Sequence, residues 1–274
     1  MKVMTTKEIQ DVILDIMKDV HEFCVENDIK YSLSGGSLLG AIRHNGFIPW
    51  DDDADIQMIR PEYDKFIHTY KSKKGFKLFC HEIEGGENVS RRLARICEMD
   101  KTYVDSGLCP WVDEKTGIAI DIIPVEGAPD NEKDAIKYIN GLKSWDRITL
   151  CWRTSKASIS EIVKYVSIKG KAKFLCRKLI GYFVPKNCID KFIKYQKQYD
   201  YESSNFFCAG PHYGIREWQP KTNMANYELH AFEDTKFYIM SGYRENLKSL
   251  FGDYMKLPPE SQRIPHFTKR YYWK

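Results

Sequence analysis

The chain has 274 residues, 43% of them apolar, 14% aromatic and 29% charged, and carries a formal net charge of +4. These values exclude a disordered or low-complexity chain and describe one large globular domain, or one domain with a substantial appendage. So small a net charge names no partner, and no nucleic-acid-binding motif accompanies it.

Residues 1–10 are polar and lack the apolar core of a signal peptide, and no window of the chain approaches the roughly 18 uninterrupted apolar residues of a membrane span. The sequence therefore reads as that of a cytoplasmic protein. Ile9, Val12, Ile13, Ile16, Val20, Phe23 and Cys24 recur at helical spacing behind Thr5 or Thr6 as N-cap, predicting a core-packing amphipathic helix over 6–26. Residues 29–34 alternate like a strand and enter a Gly35-Gly36-Ser37 turn; 37–44 read as a short helix, and 54–59 as a strand. Pro61 suits a first helical position, and Tyr63, Phe66, Ile67 and Tyr70 share a face, giving a helix that ends near Gly75. Strands are expected over 76–81, 92–99 and 117–125. The last is an apolar run interrupted by Asp121, an acid costly to bury unless it is paired or ligates a cation.

From 131 to 198 the pattern is mostly helical, through Ala135, Ile139, Leu142, Ile162, Val166, Phe174, Leu175 and Ile180, with Pro185 before the last helix. Residues 164–197 hold ten Lys/Arg against one acid, Asp190. This basic face reads either as a solvated helical surface or as one that attracts an anionic membrane or a polyanionic acceptor. The remainder is rich in Gly, Pro and aromatics, with strands expected over 206–209 and 235–240 and a helix over 244–251. The organisation is a catalytic core over 1–130, a helical elaboration over 131–200 and a closing segment over 201–274. Eight cysteines, at 24, 80, 97, 109, 151, 176, 188 and 208, form no Cys-x-x-Cys pair, so reduced thiols are expected rather than a zinc knuckle or a disulfide framework.

The run from Ser34 to Ile56 carries the chemistry. Gly35, Gly36 and Ser37 at a helix start offer backbone N–H groups and a positive dipole end to a phosphate. Asp53 and Asp55, alternate residues of one strand, face the same side, and Asp121 on a neighbouring strand completes a set of carboxylates able to bridge Mg²⁺, with Mn²⁺ as the alternative ion. Asp121 is also positioned to accept a proton from an attacking hydroxyl. Asp51 and Asp52 either cap the turn or orient Arg43 or His44. An isolated Asp-x-Asp is usually a solvated acidic turn; the glycine turn upstream and Asp121 downstream favour metal-assisted chemistry on a phosphate ester.

The run GGSLLGAIRHNGFIPWDDDADI (35–56) resembles the signature of the LicD family, phosphocholine transferases whose relatives include fukutin and fukutin-related protein. The resemblance continues at GPHYGIREWQPK (210–221), FED (232–234) and GYRENLKSLFGDYMKLPPESQR (242–263). It implies an α+β fold of nucleotidyltransferase type, a mixed sheet flanked by helices, with Gly36, Ser37, Asp53, Asp55 and Asp121 at the superfamily's positions. It further implies transfer of phosphocholine from CDP-choline to a hydroxyl of a lipid-linked glycan precursor, of teichoic-acid or lipopolysaccharide type, with release of CMP. Phosphoethanolamine, a polyol phosphate, plain nucleotidyl transfer and a non-catalytic glycan- or membrane-binding module are the alternatives. A quaternary ammonium calls for aromatic faces, and Trp50, Trp111, Tyr213 and Trp218 are candidates, each with core packing as the competing role. Arg43 and His44 either touch the diphosphate or pair with the aspartates. His212 either lines the site or sits in a turn, and Lys221, Glu233 and Asp234 are candidates whose default is an exposed loop.

Overall fold

The structure is a computed structural model that describes residues 1–83, 92–105, 117–156, 168–265 and 270–274. A short β1 (Lys2–Val3) leads into α1 (Thr6–Glu26), which Thr5 opens with a capping box: its hydroxyl accepts from the Glu8 N–H while the Glu8 carboxylate accepts from the Thr5 N–H. Ile9, Val12, Ile13, Ile16, Met17, Val20 and Cys24 are buried, the stripe that helical spacing demands. After β2 (Ser32–Leu33) comes α2 (Gly35–His44), so Gly35-Gly36-Ser37 is the helix's first turn rather than a turn preceding it. β3 (Asp55–Ile59) and α3 (Arg60–Thr69) follow. α3 stops short of Gly75 because the Tyr70 phenol donates to buried Asp19 of α1 (2.6 Å), whose other oxygen accepts the Lys73 N–H (3.1 Å) and turns the chain.

β4 (Lys77–Phe79) and β5 (Ala94–Cys97) are shorter than expected; β6 (Thr102–Asp105) was not anticipated, and β7 (Ala119–Ala128) runs past the expected end. The elaboration comprises α4 (Glu132–Ser155), α5 (Ile168–Tyr182) and α6 (Cys188–Gln196); Ile162 and Val166 lie outside the described residues. The closing segment supplies β8 (Phe206–Cys208), β9 (Trp218–Pro220), β10 (Tyr227–Phe232), β11 (Thr235–Met240), α7 (Tyr243–Phe251) and β12 (Arg270–Trp273).

The central sheet runs β2-β3-β7-β5-β4. The β3–β7 pair is parallel and the other pairs are antiparallel, and β8 then β9 extend from the far end of β7. This is an α+β fold: a mixed sheet flanked by helices, with a helical elaboration. β1, β12 and β6 form a separate antiparallel sheet that joins the two chain ends, and β10 and β11 form a hairpin. Length accounts for the omission of β1, since two residues carry no alternation to read.

A charged network ties the elaboration to the core. Arg60 at the start of α3 pairs with Glu126 of β7 and with Glu82 (3.1 Å), Lys197 pairs with Glu82 (2.5 Å), and Gln196 donates to Glu126 (3.3 Å). The cysteines that are described form no disulfide, and Cys24, Cys80, Cys97, Cys188 and Cys208 are buried.

Candidate active site: a carboxylate cluster beside an aromatic pocket

The first turn of α2 is tied to the head of β3. The Ser34 N–H donates to the Asp55 carbonyl (3.0 Å), and the Asp55 N–H donates to Ser37 Oγ (2.9 Å). The parallel register then sets Asp55 beside Asp121, whose N–H donates to the Ala54 carbonyl (3.1 Å). Asp53 differs from expectation: β3 begins at Asp55, so Asp53 lies ahead of the strand and its direction is not set by strand alternation.

The carboxylates nevertheless act on one another. Burial holds Asp55 well above the usual carboxylate range, the charges of Asp53, Asp121 and Asp51 push the same way, and Arg95 opposes them. Buried Asp51 is pushed up to about 6, chiefly by burial, against a hydrogen bond with Asp53. The loop bearing these acids is braced from two directions. Gln10 of α1 donates to the carbonyls of Ile48 (3.2 Å) and Asp51 (3.0 Å), and the Tyr271 phenol of β12 donates to that of Asp52 (3.4 Å).

The donor chemistry of this cluster fits a hard divalent cation: carboxylate oxygens only, a surplus of negative charge, and Asp55 in a place where ionisation is unfavourable without a counter-cation. Gly36 leaves the necessary room, since a Cβ there would stand 2.9 Å from Asp51 Oδ2. As the side chains stand, no three among the described residues enclose an ion, and Asp121 Oδ1 is engaged by Arg95 Nε (2.7 Å).

Beside the cluster opens a cavity of about 450 Å³, bordered by Gly36, Arg43, Trp50, Asp51, Tyr213, Phe251, Asp253 and Tyr254. Arg43 is not paired with the aspartates: its Nη1 donates to the Tyr254 carbonyl (3.0 Å) and its Nε to His44 Nε2 (3.0 Å). Burial and Arg43 lower the His44 pKa, which suits a neutral, accepting imidazole. Burial, followed by the charge of Arg263, also lowers the Arg43 pKa. Arg263 lies over the Trp50 ring (5.6 Å to its centroid). Tyr213 links pocket and cluster; burial pushes its phenol up to about 12, with Glu217, Asp55 and Asp53 acting in the same direction.

The remaining candidates separate. His212 is exposed and sets its ring edge-on to Tyr213 (4.7 Å). Trp218 is in another place altogether: it stacks on Phe206 (4.2 Å) and donates to the Pro129 carbonyl (2.7 Å), because β9 carries it to the far end of β7. Trp111 lies outside the described residues. Glu233 accepts the Phe47 N–H (3.1 Å), Asp234 pairs with Lys18 (2.8 Å), and Lys221 donates to the carbonyls of Tyr201 and Glu202 (2.9 Å each), so all three hold loops. Arg95 and Glu217 were missed, whereas Gly252-Asp253-Tyr254 reads in the sequence as a helix end before a rigid turn, with the family resemblance implying that this tail packs near the donor; Asp253 and Tyr254 do border the cavity. For Arg95 a signal existed, a charge between Ala94 and Ile96 in a buried strand; for Glu217 there was none.

Comparisons with known proteins bear on this site. A family model described as LicD/FKTN/FKRP, nucleotidyltransferase domain, matches residues 28–133, which include Gly35–Ser37, all four carboxylates and Arg95. Over 279 aligned residues the chain is 33% identical to the lipopolysaccharide cholinephosphotransferase LicD of Haemophilus influenzae, with 99% of each chain covered. It is 37% identical over 76 residues to an uncharacterized protein of Rickettsia prowazekii, covering 24% of this chain and 29% of that one. A further uncharacterized protein, of Rickettsia typhi, is 40% identical over 72 residues, 26% of this chain and 22% of its own.

Proposed function

This chain belongs to the LicD family, and we propose that it is a cholinephosphotransferase that moves phosphocholine from CDP-choline to a hydroxyl of a cell-surface glycan precursor of lipopolysaccharide or teichoic-acid type. The observation that carries the reading is the carboxylate cluster, whose member Asp51 borders a pocket that is also lined by the Arg43 guanidinium and by the rings of Trp50, Tyr213, Phe251 and Tyr254. Full-length similarity to a lipopolysaccharide cholinephosphotransferase supports the same class of reaction.

The acceptor oxygen forms a bond to the phosphorus that bears choline, the bond from that phosphorus to the bridging oxygen breaks, and CMP leaves with the oxygen. Asp121, aimed by Arg95, takes the proton of the acceptor hydroxyl. The first turn of α2 would offer the N–H groups of Gly35 and Gly36 to the diphosphate, and Ser37, whose Oγ accepts from the Asp55 N–H, keeps its hydroxyl hydrogen to donate. Arg43 and Arg263 add positive charge on the nucleotide side. Tyr213, Phe251 and Tyr254 offer π-faces to the quaternary ammonium, which has no hydrogen to donate, and Asp253 adds a negative charge at the rim. Asp53, Asp55 and Asp121 would hold Mg²⁺, which when bound neutralises charge on the reacting diphosphate.

CMP release from CDP-choline in the presence of a glycan acceptor tests the proposal. It should require divalent metal and vanish in the Asp53→Ala/Asp55→Ala double variant; unchanged turnover in that variant would overturn the site assignment. Running CDP-ethanolamine and a CDP-polyol in parallel identifies the head group, and the aromatic wall predicts that choline leads.

A further inference from the structure

The apolar stripe of α5 faces solvent. α5 lies against α4 through Gly181, where a Cβ would stand 2.0 Å from the Cys151 carbonyl oxygen, and through Lys178, whose Nζ donates to the Ser155 carbonyl (2.7 Å). That close approach fixes which side of the helix points away. At about 100° per residue, Leu175, Cys176, Leu179, Tyr182 and Phe183 share one arc opposite Gly181. All are exposed, Leu179 at 62% and Phe183, just beyond the helix, at 88%. An amphipathic helix ordinarily buries such an arc.

The charges around it are of one sign. Lys171 and Lys178 border the arc on one side and exposed Lys173 on the other, Lys186 follows, and from Ile168 to Ile189 there is no acid. Two copies of the chain paired through this arc would set lysines against lysines, which disfavours self-association. An anionic bilayer surface satisfies both features: apolar side chains enter the acyl boundary while lysines remain at phosphate level. Among the described residues no helix is long and apolar enough to cross a membrane.

We infer that α5 and the turn after it form a docking surface for an anionic phospholipid bilayer, with Leu175, Leu179, Tyr182 and Phe183 inserted and Lys171, Lys173 and Lys186 on the head groups. The inference stands apart from the carboxylate site. Its test is sedimentation of the full chain with vesicles of phosphatidylglycerol in phosphatidylcholine, and with phosphatidylcholine alone, at low salt. Binding to the anionic vesicles only is expected. Each of Lys171→Gln and Lys173→Gln should weaken it about fivefold, and Leu175→Ser/Leu179→Ser/Phe183→Ser at least about tenfold. The altered side chains lie on the surface, so circular dichroism and Tm should match those of the wild type. Failure of the wild type to bind anionic vesicles would overturn the inference, as would wild-type binding by the triple-serine variant. A dimer in light scattering that the triple-serine variant dissolves would reassign the face to self-contact.

Discussion

Replacing Glu217 by glutamine removes a charge that the fold holds in an unfavourable place. Glu217 ends the short 3-10 turn before β9; its carboxylate accepts the Tyr213 N–H (3.3 Å). Burial pushes its pKa from an ordinary 4.5 up to about 7, while that hydrogen bond, Arg92 and Arg216 pull the other way. Because the folded pKa is raised, the unfolded chain releases this proton first. The protein keeps its full stability below about pH 4.5 and loses part of it as pH rises through about 7. At about 1.4 kcal/mol per pH unit the loss is under about 1 kcal/mol at pH 5 and about 3 kcal/mol at pH 8, an upper figure because the side chain keeps some contact with solvent. The amide oxygen of glutamine preserves the Tyr213 bond without the charge. In urea unfolding, Glu217→Gln should therefore nearly match the wild type at pH 5 and exceed it by about 2–3 kcal/mol at pH 8. A variant no more stable than the wild type at pH 8, or a gap equal at both pH values, would refute the reasoning.

Three further outcomes follow from the site and its supports. In Asp55→Asn, the removal of a carboxylate that burial and its neighbours hold far above its ordinary range should stabilise the metal-free protein at pH 8, with the gain fading toward acid. The Mg²⁺-induced rise in melting temperature should be lost in the same variant; an undiminished rise would place the ion elsewhere. In Gly36→Ala, a Cβ 2.9 Å from Asp51 Oδ2 should push the Asp51 carboxylate out of its place in the cluster, lowering kcat/KM by about tenfold with helix content unchanged. Arg60→Ala leaves the Glu126 side chain, 2% exposed, without its cation and should cost about 3–5 kcal/mol in chemical denaturation. A loss below about 1 kcal/mol would mean that Lys197 and Gln196 suffice.

Much of the fold was legible because its signals are local. The helix over 6–26 declared itself by seven apolar residues at helical spacing behind a capping threonine, and an acid inside an apolar run marked Asp121 without any knowledge of its neighbours. Where the reading went astray, a long-range pairing had intervened. Asp53 was placed on a strand by local alternation, but the ladder to β7 begins only at Asp55. Trp50 and Trp218 were equivalent as aromatic residues in sequence; β9 carries one of them to the far end of β7, while the loop after α2 brings the other to the pocket.

The sequence by itself determined which chemistry the chain can support, since glycines at a helix start and carboxylates in a strand context are statements about backbone conformation and residue type. Only the tertiary structure decided how those groups are balanced. Arg95 reaches Asp121 because β5 and β7 pair antiparallel in a register that makes them direct partners. The aromatic wall exists because the residues around α7, some two hundred positions later, close over the first turn of α2. Register and closure depend on contacts distant in the chain, and no local periodicity encodes them.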